Sequence, residues 1–166
     1  MSLGRKTQRP DDPIPAASPR TAPRGSFYER LARALEAEAF DAWVEELVRP
    51  YYAPRRGRPS LAPGIYFRML IVSSLEGIVS QRELAWRCND SLCVRRFLGY
   101  SPTDATPDHS TLTLAKQRLP PDVHAEAMRA LWNAARKHDV LRGRSLSPGA
   151  TFFDPIWSDP APPEAS

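Results

Sequence analysis

Eighteen prolines in 166 residues, and the places where they stand, set the tightest limit on what this chain can fold into. A proline lacks the amide hydrogen and clashes with the preceding turn, so helices accept it in their first turn and exclude it from their interior. Five prolines lie before residue 25 and five between positions 148 and 166. That is well above the ordinary share of about 5%. The N-terminal end is also poor in large apolar side chains, and the C-terminal one ends in PAPPEAS. Residues 1–25 are therefore read as a disordered, mildly basic arm and 147–166 as a disordered Pro/Ala-rich tail. Residues 26–146 remain to build one domain, and with 42% apolar residues in the chain a real core is within reach.

Inside that window the start and stop signals alternate at helical spacing. Ser26 and Glu29 form an S-x-x-E capping box, in which each side chain satisfies the other residue's backbone donor. An apolar stripe of Phe27, Leu31, Ala34 and Leu35 follows and resumes, past a kink near Ala39, with Phe40, Trp43, Val44 and Leu47; Pro50 ends it. Tyr51 to Ser60 is an aromatic-then-basic loop, with Ser60 available to start a helix over 61–75 that has Pro63 in its first turn and Gly77 after its end. Tyr66, Met69, Leu70 and Ser73 mark it as the central helix. Ser80 with Glu83 repeats the capping-box pattern before a short helix through Leu84, Trp86 and Cys88. After a turn at Asn89-Asp90, Ser91 caps another through Leu92, Val94, Phe97 and Leu98, stopped by Gly99. Thr106 as N-cap with Pro107 at the first helical position predicts a helix to Leu119, and 122–138 predicts a longer one ending in Arg136, Lys137 and His138. With no alternating run long enough for a sheet, the expected fold is all-α, with about six helices. The pair flanking Asn89-Asp90 has the outline of a helix-turn-helix.

Charge is spread unevenly over this framework. From Glu29 to Glu46 six acids face two bases, whereas from Arg49 to Arg144 sixteen Lys and Arg stand against eight Asp and Glu. An acidic entry followed by a basic body points to a polyanion as partner. The most apolar stretch, 65–75, is broken by Arg68 and too short for a bilayer, so no membrane role follows. Two cysteines five residues apart, Cys88 and Cys93, make no disulfide framework, and a reducing cytoplasm is expected. With His109 they lack the second ligand pair that a metal spacing needs. His124 and His138 lie about 21 Å apart along one helix and cannot share an ion. Asp154 follows an apolar run as a catalytic acid at a strand end would, but Pro155 comes next and no partner acids accompany it. No catalytic residue and no metal ligand is expected in this chain.

The basic side chains make the better constellation. Arg82 and Arg87 fall in the first short helix, Arg95 and Arg96 in the second, and Lys116 and Arg118 in the helix after it. A recognition helix reads base edges while neighbouring bases hold phosphates, which makes Arg95 and Arg96 the leading contacts. Ser110 and Thr111, at a helix N-terminus with free amide donors, are expected phosphate ligands. The competing expectation is a dimerisation or protein-interaction module, drawn from the acidic first region with Trp43 and Leu47; its partner would be a second copy of the chain.

Three segments taken together carry a family resemblance: the GRPS loop before an apolar helix, EGIVSQRELAWRC, and TPDHSTL. Over residues 26–146 the chain resembles the N-terminal domain of bacterial insertion-sequence transposases of the DDE type. The resemblance implies a helical domain that binds the element's DNA at its terminal inverted repeats, in the cytoplasm at the nucleoid. It also implies a following RNase H-like domain, whose three acids hold two Mg²⁺ ions for strand cleavage and transfer. After Leu146 the sequence departs from the family pattern, and Asp154 does not fit the place of the first catalytic acid. The expectation is a DNA-binding portion separated from its catalytic domain, either as a remnant or as one frame of a frameshifted pair.

Overall fold

In a computed structural model, residues 26–52 and 60–142 are described. The N-terminal arm, the basic loop at 53–59, Asp154, the departure after Leu146 and the Pro/Ala-rich tail lie outside the described residues. Seven α-helices occur among them, with no strand: α1 (Phe27–Ala37), α2 (Phe40–Val48), α3 (Pro63–Glu76), α4 (Gln81–Asp90), α5 (Leu92–Leu98), α6 (His109–Arg118) and α7 (Pro121–Lys137). A single 3-10 turn, Arg49–Tyr51, follows α2.

The additional helix relative to the sequence reading comes from Ala39. It adopts a left-handed conformation, φ +50°, so the expected kink is a full break between α1 and α2. An L-residue there costs roughly 1–2 kcal/mol, which the burial of Phe40 and Val44 against the core offsets. The Ser26 capping box is present, with Glu29 N donating to Ser26 Oγ at 3.3 Å and Ser26 N donating to Glu29 Oε2 at 2.9 Å. Pro63 opens α3, Gly77 closes it at φ +69°, Ser91 caps α5, and Gly99 closes that helix at φ +85°. Three local expectations are corrected. Ser60 stands outside α3, whose N-cap is Ala62. Ser80 precedes α4 without a side-chain capping bond. Asn89 and Asp90 belong to α4, leaving Ser91 as the only residue between α4 and α5.

Helix α3 is the centre. Tyr66, Phe67, Met69, Leu70, Ile71, Val72 and Ser73 are buried around its circumference, and α2, α4, α5 and α7 all pack on it. A helix with apolar residues on nearly all its faces is an interior one. The buried Ser73 hydroxyl donates to the Ile78 carbonyl at 2.7 Å, which turns the chain from α3 toward α4. Helix α2 approaches closely at Gly64, where a β-carbon would overlap the Asp41 carboxylate; that carboxylate accepts from Arg68 at 2.7 Å. Between α3 and α7, Tyr66 Oη and His124 Nε2 are 3.0 Å apart, and His124 Nδ1 is 3.0 Å from the Pro120 carbonyl. Because a carbonyl only accepts, Nδ1 carries the proton and Nε2 accepts from the tyrosine. Burial holds this imidazole neutral by pushing its pKa down to about 4. No helix among the described residues is long and apolar enough to cross a membrane.

Candidate nucleic-acid interface

The basic residues singled out by sequence fall on α4, α5 and α6, three short helices at one end of the bundle. Helix α4 packs on both α5 and α6, and Thr113 Oγ1 of α6 donates to Gln81 Oε1 of α4 at 2.5 Å. Leu84, Cys88, Val94, Phe97, Leu98, Leu112 and Ala115 turn inward and join this end to the common core. Burial pushes the Cys88 thiol up to about 12, so it stays protonated at neutral pH. Among the described residues no three His, Cys, Asp or Glu gather as a metal site would require.

Arg95, expected as a leading contact, is 5% exposed. Its guanidinium is spent inside the fold. Nη1 donates to the Asn89 carbonyl at 2.9 Å and to Asn89 Oδ1 at 2.8 Å, Nε and Nη2 donate to the Ser101 carbonyl, and Nη2 also donates to the Asp104 carbonyl. All five N–H groups of the planar fork have geometry to serve fixed carbonyls, which a lysine cannot reproduce. Arg95 thus clamps the end of α4 to the loop that leads into α6, and it is withdrawn as a DNA contact.

Arg87 is also engaged. Its Nε and Nη2 donate to the two Glu76 oxygens at 2.6 and 3.0 Å, and Tyr28 Oη donates to the same carboxylate at 2.6 Å. That cluster joins α1, α3 and α4, and the Glu76 bond keeps the guanidinium pKa raised. Arg96, by contrast, has a side chain 79% exposed, with one long pair to Glu29 at 3.2 Å. Arg82 is exposed on α4, and Arg118 lies on the exposed side of α6 with its guanidinium carbon 4.7 Å from the Tyr52 ring centroid. Lys116 is half-buried on α6.

The N-terminus of α6 differs from the expectation as well. Asp108, not Thr106, is the N-cap, and the helix begins at His109. Asp108 Oδ1 accepts from Thr111 N at 2.7 Å and from Ser110 Oγ at 2.8 Å. These bonds hold its carboxyl down at about 2. The Thr111 amide and the Ser110 hydroxyl are therefore already engaged by Asp108, whose negative charge disfavours an anion at this helix start. Asp is a better N-cap than Thr, and Thr106, placed before Pro107, is held extended; both signals were available in the sequence. Thr106 Oγ1 instead reaches Asn89 Oδ1 at 3.3 Å, beside the Arg95 clamp.

An all-α unit with a clamped three-helix end, whose exposed cations are Arg82, Arg96 and Arg118, is the class of structure these residues define. A family model described as Transposase domain (DUF772) matches residues 18–118, a span that closes with the last residue of α6. The chain belongs to that transposase domain family. No curated protein and no solved structure matches it.

Proposed function

We propose that this domain is the DNA-binding portion of an insertion-sequence transposase and that its target is the terminal inverted repeats of the element. The family match carries the reading. The distribution of charge supports it: α2 exposes Asp41, Glu45 and Glu46, while α5 and α6 expose Arg96 and Arg118 and contain no acid. Strand cleavage is assigned to a separate RNase H-like domain whose acids lie outside the described residues.

Four cations remain as phosphate contacts: Arg82, Arg96, Lys116 and Arg118. Neutralising about four phosphates gives a slope of about −3 to −4 in log affinity against log salt. A mobility-shift titration of the full chain with an element-end duplex and a scrambled one measures both slope and preference. No binding at low salt overturns the reading. The exposed Trp86, Leu92 and Val79 favour a second reading, a protein-interaction module; sedimentation of the DNA-free chain as a stable oligomer supports it.

A further inference from the structure

Helix α6 has two opposite faces. Leu112, Ala115 and Leu119 are buried against the domain. At 100° per residue, Ser110, Leu114 and Gln117 fall on the other side, and all three are exposed. Leu114 is 63% exposed, an unusual place for a leucine with no apolar neighbour on its own helix face. From His109 to Pro121 there is no acid, Arg118 borders the exposed stripe, and half-buried Lys116 lies between it and the buried face. The other two short helices lack this combination. In α5, Val94, Arg95, Phe97 and Leu98 are buried, which leaves seven residues with one exposed cation. The exposed face of α4 carries Glu83 and Asp90, which repel a phosphate backbone.

We propose that α6 is the base-reading element, lying in the major groove of duplex DNA with Leu114 and Gln117 against neighbouring base edges and Arg118 and Lys116 on the flanking phosphates. The inference rests on the DNA-binding reading above and gives it an element and a base preference. Ten helical residues span about 15 Å, and the major groove, roughly 12 Å wide, admits one helix. The Gln117 amide donates to adenine N7 and accepts from adenine N6, while the Leu114 methyls meet a thymine methyl. Three residues along a helix advance about 4.5 Å, against about 3.4 Å per base step, so the two side chains address adjacent pairs. The preferred site therefore contains consecutive A·T pairs. Because Asp108 occupies the helix N-terminus, the phosphate contacts lie toward the C-terminal end of α6. The Arg95 clamp and the Thr113–Gln81 bond hold the helix at the angle it presents.

The experiment is selection of bound duplexes from a randomised 20-base-pair library by the full chain, followed by titration of the selected duplex. Wild type is expected to discriminate against G·C at the Gln117 position by about 5- to 150-fold, and Gln117→Ala to lose that preference. Replacing thymine by deoxyuridine at the neighbouring pair should weaken wild type several-fold and leave Leu114→Ala unchanged, which isolates the methyl contact. Arg118→Ala should weaken all sequences alike and reduce the salt slope by about 1. Both base-reading side chains are exposed, so unchanged melting of Gln117→Ala and Leu114→Ala verifies folding. If wild type binds duplexes and both variants select the same site as wild type, the α6 assignment is overturned while DNA binding stands. If no duplex binds at low salt, the DNA reading itself fails. Loss of self-association in Leu114→Ala without DNA binding would make α6 a contact between copies of the chain and overturn the proposal.

Discussion

Helices α1, α2, α3 and α7 and the α4–α6 end are held by different physics. In the first group, nine to seventeen residues per helix bury Leu31, Leu35, Val44, Phe67, Ile71, Val72 and Leu131 with no exposed surface. Their stability comes from apolar area and close packing, which are insensitive to direction. In the second, helices of seven to ten residues contribute few such side chains, and directional polar bonds set their arrangement: Arg95 on three carbonyls, Gln81 on Thr113, Asp108 on its own helix. The apolar half provides a stable base, and the polar clamps leave side chains such as Trp86, Leu92 and Leu114 free to face solvent.

That contrast can be broken by substitution. Phe67→Ala in the centre of α3 should cost about 3–5 kcal/mol, because it leaves a cavity surrounded on all sides; chemical denaturation would read it, and a loss below about 1 kcal/mol would mean the core is not closed around α3. Arg95→Met should cost about 2–3 kcal/mol through the abandoned carbonyls, with Arg95→Lys recovering only part. Arg96→Met, exposed, should be near neutral, and equal melting losses at 95 and 96 would erase the distinction between clamp and surface.

The next effect is a pH dependence confined to the apolar half. His124 is neutral when folded, its pKa lowered from 6.5 to about 4 by burial, so below pH 6.5 the unfolded chain binds the extra proton. Its contribution is complete above 6.5 and lost as the pH falls toward 4, with a slope of about 1.4 kcal/mol per pH unit. His124→Gln should flatten a stability profile over that range; an unchanged slope would assign it to other groups. Asp108 acts lower. Its pKa is depressed from 3.8 to about 2, so its support of α6 is complete above 3.8 and disappears toward 2, visible as late fraying of α6 in Asp108→Asn-sensitive amide signals. The smallest effect is Ala39→Gly, expected to stabilise by about 0.5–1 kcal/mol by relieving the left-handed alanine; destabilisation in a thermal melt would show that the break is not strained.

Legibility in the sequence followed the range of the interaction. Ser26, Pro63, Gly77, Ser91 and Gly99 act within one turn, and each stands where its local chemistry places it. The role of α3 was legible because it holds the most apolar stretch of the chain, broken by Arg68. Arg95 was not, since its partners come from the end of α4 and a separate loop that only the folded chain assembles. A weaker signal existed: Arg95 lies beside the Val94–Phe97–Leu98 stripe, while Arg96 lies opposite it. Trp86 and Leu92 belong to the apolar residues that mark the two short helices, yet both are exposed by more than 60%; so short a helix has too little periodicity to decide which apolar positions face inward.

The Arg95 clamp has a consequence for how this domain can diverge. Segments joining helices usually absorb insertions readily. Here the carbonyls of Ser101 and Asp104 are gripped by one planar group at a spacing of three residues, and Asp104 Oδ2 accepts from Ser101 N at 2.6 Å to set that spacing. Adding or removing a residue between them puts a wrong carbonyl under the fork, whereas an insertion between Asp104 and Pro107 leaves the grip intact. The connection before α6 is a loop by shape and a counted register by chemistry.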